Sequence, residues 1–254
     1  MTSSLRIAAI AAVVSVSLLR PVAAQAQALP SATDVIAKYV AAIGGKDEVM
    51  KVTSIKQTAT MDVPAIGLSA SMEVFAAAPN RMASKTNIPG MGEMLTGYNG
   101  SVAWDVNPMQ GPRLLADKEL TTAAENADFY GNMLYSADKY ASMETMGDTV
   151  IGREKAFKVK MVRKGSRTES TSYFSASSGL LLGGVSTIES QMGTMQVSQS
   201  VLEYKKFGNL MLPTRIEQSM GPQKMTMTVK EVTLNGAPDA AFAVPDQVKP
   251  LIKP

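Results

Sequence analysis

Met94-Leu95-Thr96-Gly97-Tyr98-Asn99-Gly100-Ser101-Val102-Ala103-Trp104-Asp105-Val106 sets an Asn-Gly pair between two segments with alternating apolar positions. Met94, Thr96 and Tyr98 lead in; Val102, Trp104 and Val106 lead out on one face. Asn-Gly accepts the positive φ of a tight reversal, so this is the strongest hairpin signal in the chain. The same period of two runs upstream. Ile55, Gln57, Ala59, Met61 and Val63 alternate with Lys56, Thr58, Thr60 and Asp62. Pro64 to Gly67 reads as a turn, after which Leu68, Ala70, Met72, Val74 and Ala76 resume the alternation. Met82, Ser84, Thr86 and Ile88 lie between breaks at Pro79-Asn80 and Pro89-Gly90. Four or five antiparallel strands in a meander follow from this pattern.

Before the first strand the period is 3.6. Val35, Ile36, Tyr39, Val40 and Ile43 form one apolar helical face, capped by Ser31 or Thr33 and ended by Gly44-Gly45. Lys46 to Val52 adds a short second turn of helix. A further helix is expected over Asp117 to Tyr135, interrupted at Gly131. Strand patterns return at Phe157 to Met161, Ser170 to Phe174, Leu180 to Leu182, Val185 to Glu189, Met195 to Tyr204, Leu212 to Gln218 and Lys224 to Val232. The pattern gives roughly ten strands and two main helices, a mainly β chain with α (α+β). A sheet of that size curls. The expected architecture is a curved antiparallel sheet, an unclosed barrel with helices covering its concave side.

The composition excludes much chemistry. The 254 residues contain no His and no Cys. Ser-His-Asp and Cys-His nucleophile systems, thiolate or imidazole zinc sites and disulfides are therefore impossible. Residues 1–28 read as a secretory signal peptide: Arg6, an apolar run from Ile7 to Leu19, then small residues with A-x-A frames ending at Ala26 or Ala28. The competing reading, a membrane anchor, needs a run of ~20 residues. Removing Arg6 and Arg20 from the 25 basic residues leaves 23 against 22 acidic ones. That balance argues against nucleic acid as a partner. Residues 29–254 are expected to form one domain that holds together by its core alone.

Methionine is abundant: 18 in all, 17 after Met1. Met61, Met72, Met82, Met94, Met161, Met225 and Met227 fall on the apolar phase of strands, and all but Met161 are candidates for a cavity wall with Val63, Val74, Trp104 and Val106. Met is flexible and polarizable, so these residues form either an ordinary core or the wall of a cavity for variable acyl chains. Trp104, in phase with Val102 and Val106, is expected to point inward. Arg81, Lys85 and Arg113 are candidates for the rim, facing lipid phosphate or a partner. The basic stretch Lys155, Lys158, Lys160, Arg163, Lys164 and Arg167 is either a docking surface or a solvated edge.

Ala78-Pro79-Asn80-Arg81-Met82, Gly97 to Trp104, Asn107-Pro108, and then Asp239, Phe242 and Pro245 give the chain its resemblance. In order and spacing they resemble the LolA-like outer-membrane lipoprotein-sorting proteins of bacteria. Ala42 to Gly45 and Met109 to Leu115 resemble a broader branch of that group. The resemblance implies an unclosed barrel with a helical lid and an apolar cavity. It implies a periplasmic binder of lipoprotein acyl chains or other lipids, without catalysis, cofactor or metal, that meets inner- or outer-membrane envelope proteins. The carriers place Arg before the Pro-Asn pair and a bulky aromatic shortly after it; this chain has Ala78 and Met82. That departure favours a general amphiphile binder over a dedicated shuttle. The alternative is an interaction or sensor module of an envelope complex with a filled core. Asp117, Glu119, Glu125 and Asp128 supply helix carboxylates for acid–base work or Ca²⁺, but no Asp-x-Asp-x-Asp-Gly loop accompanies them.

Overall fold

A computed structural model describes residues 28–190 and 193–252; the expected signal peptide lies outside them. The chain opens with α1 (Ala32–Ala42) and α2 (Lys46–Met50). Ser31 caps α1, its Oγ accepting from the Asp34 N–H at 3.1 Å. Gly44 and Gly45 end it at φ 123° and 89°. A Cβ at Gly44 would collide with the Asn209 carbonyl, so this reversal requires glycine.

The sheet follows. The β1 (Ser54–Val63), β2 (Leu68–Ala77), β3 (Arg81–Ile88), β4 (Gly92–Tyr98), β5 (Ala103–Asn107) and β6 (Gly111–Leu114) strands form the meander. The chain then crosses in α3 (Asp117–Asn126) and α4 (Phe129–Leu134). It returns as β7 (Tyr140–Ile151), β8 (Glu154–Arg163), β9 (Glu169–Ser175), β10 (Leu181–Ser190), β11 (Gly193–Phe207), β12 (Leu210–Met220) and β13 (Gln223–Leu234). Among the described residues these make one 13-stranded sheet. β1 pairs with β13 in its middle, and β6 and β7 are the two unjoined edges. Every pairing is antiparallel. The sheet is thus mainly β and unclosed, with helices on one face.

Two expectations are corrected. The sheet has thirteen strands where roughly ten were expected; β6 and β7 are the two that no alternation announced, and β7 is mostly exposed beyond Tyr140. The helix expected over Asp117 to Tyr135 is two helices. It breaks at Asp128, whose Oδ1 accepts from the Gly131 N–H at 3.0 Å and caps α4. Gly131 therefore lies in the first turn of a helix where interruption was expected.

Register assigns the faces. Side chains on adjacent antiparallel strands share a face when directly paired. Tyr98, Ala103 and Met82 pack with Leu120, Ala123 and Ala124 of α3, so they mark the concave side. Toward one end this side is filled. α2 and α4 pack with Ile55, Leu210 and Leu212, and α1 with Tyr140, Val159, Met161 and Phe174. The convex side of β1–β5 is covered by the C-terminal segment: Phe242 packs on Ala77 and Ala83, and Val248 on Trp104 and Val106.

Candidate functional site

α3 bridges the concavity, touching β4 and β5 on one side and β10 on the other. None of its residues is buried. Leu120, Ala123 and Ala124 rest partly buried on Tyr98 and Ala103, and polar contacts tie the two ends. Arg113 of β6 donates from Nη1 and Nη2 to Glu119 at 2.8 and 3.2 Å, and from Nε to Asp105 at 3.2 Å. Further along, Glu125 accepts from the N–H and hydroxyl of Ser166, in the β8–β9 loop, at 2.9 and 2.7 Å. Asn132 caps the helix C-terminus, its Nδ2 donating to the carbonyls of Glu125 and Asn126 at 2.9 Å each.

A cavity lies on either flank of α3, and Thr122 and Asn126 line both. The smaller, about 230 Å³, is enclosed chiefly by Met82, Tyr98, Leu115 and Ala123. The larger, about 450 Å³, mixes Met161, Leu181 and Val197 with Ser170, Gln199 and Gln218. That volume is within the range of small-molecule sites. Its chemistry suits a molecule with apolar and polar parts. Arg163 also lines it, held by the Asn132 side-chain oxygen and stacked 4.8 Å from the Tyr140 ring centroid.

An aromatic cluster closes the end of the larger cavity. Tyr135 meets Tyr39, Phe174 and Tyr140 at centroid distances of 5.3, 5.5 and 6.5 Å. Burial pushes the Tyr135 phenol up to about 12. Burial likewise raises Tyr39, Tyr140 and Tyr204. These hydroxyls stay neutral near pH 7, since each ordinarily ionises near 10.

Eight expected wall residues share the concave face by register: Met61, Val63, Met72, Val74, Met82, Met94, Met225 and Met227. Met61 pairs with Met227 and Ala70, Met72 with Ala59 and Thr86, and Met94 with Thr86. All eight are half-buried, and Met82 also lines the smaller cavity. Trp104 and Val106 differ. They have the opposite parity to Ala103 and pack under Val244 and Val248, so the expected inward orientation does not hold. Val102 packs with them, and the phase was read correctly; its face was not, because the covering C-terminal segment has no strand-like period. Trp104 still borders the smaller cavity.

Of the expected rim cations, Arg81 is on the convex side. Its Nη1 donates to Asp239 at 2.9 Å, and its guanidinium stacks 4.7 Å from the Phe242 centroid. Lys85 pairs with Glu93 at 2.5 Å, while Arg113 faces α3 as described. In the basic stretch Lys155 pairs with Asp148 and Lys160 with Glu169. Asp128 pairs with Lys139 at 2.9 Å. The residues the sequence reading missed are Ser166, Asn132 and Tyr135; only contacts distant in sequence give them meaning.

Three solved structures are similar in fold. A DUF1329 family protein from Desulfovibrio piger matches at TM-score 0.57 and 12% identity, over 84% of this chain and 97% of that one. A LolA superfamily protein from Nitrosomonas europaea matches at 0.56 and 13%, over 85% and 99%. An outer membrane lipoprotein-sorting protein domain from Vibrio parahaemolyticus matches at 0.54 and 10%, over 82% and 94%. At these identities the likeness establishes the LolA-like fold alone. No family model and no curated protein matches the chain.

Proposed function

We propose that this chain, built on the LolA-like fold, is an exported periplasmic protein whose single domain, residues 29–254, holds amphiphiles in its concavity without catalysing a reaction. Its cargo is the acyl chains of lipid-modified proteins or of other lipids. The supporting observation is that α3, which buries none of its residues, spans a concave face whose eight aligned apolar side chains are only half-buried. A helix that rests on the sheet through a few partly buried side chains, Leu120, Ala123 and Ala124, and is otherwise tied by polar contacts can be displaced at modest cost. Each methylene moved from water onto that surface contributes ~0.8 kcal/mol, so a modest chain binds usefully.

The position that carriers give to Arg is Ala78 here, packed near Ile55 and Phe129. This chain instead uses Arg113 and Glu125 to hold its helix, which suits a general amphiphile binder. Mass spectrometry of an organic extract from gently purified protein tests the reading. Copurified acyl species, and a fluorescent acyl probe displaced by phospholipid, are expected. Absence of both from folded protein rejects it and leaves a protein-interaction module.

A further inference from the structure

Arg163 is the only basic side chain lining the larger cavity among the described residues. It stands at the end of β8, on the same face as Val159 and Met161, which pack under α1. Its Nη2 donates to the Asn132 side-chain oxygen, and its Cζ lies 4.8 Å from the Tyr140 ring centroid. A guanidinium carries several N–H donors in a planar fork that matches a carboxylate or a phosphate. Those not given to Asn132 meet no protein acceptor among the described residues. The acids lining the cavities that Arg163 borders are Glu125, Asp128 and Asp138. Glu125 gives both oxygens to Ser166, Asp128 pairs with Lys139, and Asp138 is exposed. None of them forms an ion pair with Arg163. A half-buried cation without a counter-ion favours an anion in the space beside it.

The wall beside Arg163 passes from polar to apolar across the sheet. Met161 pairs with Ser170, Ser170 with Ser186, and Ser186 with Val197. One row on, Gln199 pairs with Gln218, and Gln218 with Met225. Beyond them Ile216 pairs with Met227, and Met227 with Met61. Directly paired side chains share a face, so the polar lining of the cavity ends where the methionine face begins. Ser170, Gln199 and Gln218 make no side-chain hydrogen bond among the described residues and can meet ester or hydroxyl oxygens of a ligand. An amphiphile on this surface therefore has one favourable direction, charged head at Arg163 and chain on the methionines.

We propose that Arg163 is a head-group site: it binds the anionic head, a carboxylate or a phosphate, of an acyl amphiphile whose chain runs past Gln218 onto Met225, Met227 and Met61. The assignment rests on the amphiphile-binding reading above and specifies the class of head. Titration calorimetry with palmitate, palmitoyl lysophosphatidic acid and monopalmitoylglycerol, each below its micelle concentration, tests it. The wild-type protein should bind at least one of the two anions more tightly than the neutral glyceride by a factor of about ten or more, because the neutral head forfeits a charge-assisted fork. The tighter anion identifies the head as carboxylate or phosphate. In the wild type the Arg163 side-chain N–H resonances should shift with that anion and stay in place with the glyceride. Arg163→Gln should remove the preference and leave glyceride affinity nearly unchanged, while Arg163→Lys should keep part of the preference. An arginine that only braces Asn132 and Tyr140 would alter stability and leave the anion-to-neutral ratio as it was. Equal affinity for charged and neutral heads in the wild type, unmoved Arg163 resonances, or an unchanged ratio in folded Arg163→Gln overturns the assignment while the amphiphile reading stands. Binding of none of the three overturns both.

Discussion

Arg113 grips Glu119 through both terminal nitrogens, at 2.8 and 3.2 Å, and so ties the first turn of α3 to the edge strand β6. Two parallel charge-assisted bonds fix orientation as well as distance. With Glu125–Ser166 toward the other end, the helix is tied at two points, and between them Leu120, Ala123 and Ala124 rest on Tyr98 and Ala103. The two points differ in kind: one is a fork between charges, the other a carboxylate accepting two neutral donors.

Arg113→Met should loosen α3 with little damage elsewhere. We expect a stability loss of about 1 kcal/mol, since the pair is partly solvated, and faster acyl-probe association. Hydrogen exchange should rise over residues 117–126 and stay unchanged in β8 and β9.

Ser166→Ala should act through the second point. Its backbone N–H still reaches Glu125, so the loss should be comparable, about 0.5–1.5 kcal/mol. Because the two points share no partner, the double variant should show additive stability changes. Urea midpoints for the four proteins measure this.

Trp104→Ala should be costly for folding and nearly silent for binding. Trp104 is fully buried beneath Val244 and Val248, and a core Trp→Ala change costs about 3–5 kcal/mol. Probe affinity per folded molecule should change less than threefold. A large affinity loss in a stable variant would place this side chain in the site after all.

Alkaline pH should destabilise the protein through the tyrosine cluster. Burial holds Tyr135 near 12 in the fold, against an ordinary value of about 10. The folded state therefore binds more protons in that window. The stabilising contribution is complete below pH ~10 and is lost as pH rises toward about 12. Tyr39, Tyr140 and Tyr204 act in the same direction. Phenolate absorbance should show these four ionising only above the ordinary tyrosine range or on unfolding.

The sequence revealed the interior of the sheet more readily than its edges. β1 to β5 are legible because each has one face on the core, which writes a period of two into Ile55–Val63 and Leu68–Ala76. β6 and β7 have a neighbour on only one side, and β7 carries Glu144, Gly147 and Asp148 where an interior strand would carry apolar residues. The bulge at Gly183 split β10 in two, Leu180–Leu182 and Val185–Glu189, because it resets the alternation. For the site, periodicity correctly grouped the six methionines with Val63 and Val74 on one face. It could not say which face of β5 becomes concave. That depends on α3 and the C-terminal segment, both held by contacts far apart in sequence.

The central claim is that the half-buried methionines of the concave face touch an acyl chain. Methyl-labelled methionine makes them direct reporters in a magnetic-resonance titration with a lysophospholipid. The account predicts saturable shifts at Met61, Met72, Met82, Met225 and Met227, with Met50 and Met146, exposed elsewhere, unmoved. Unchanged concave methyls at saturating lipid, in protein shown to be folded, would contradict it.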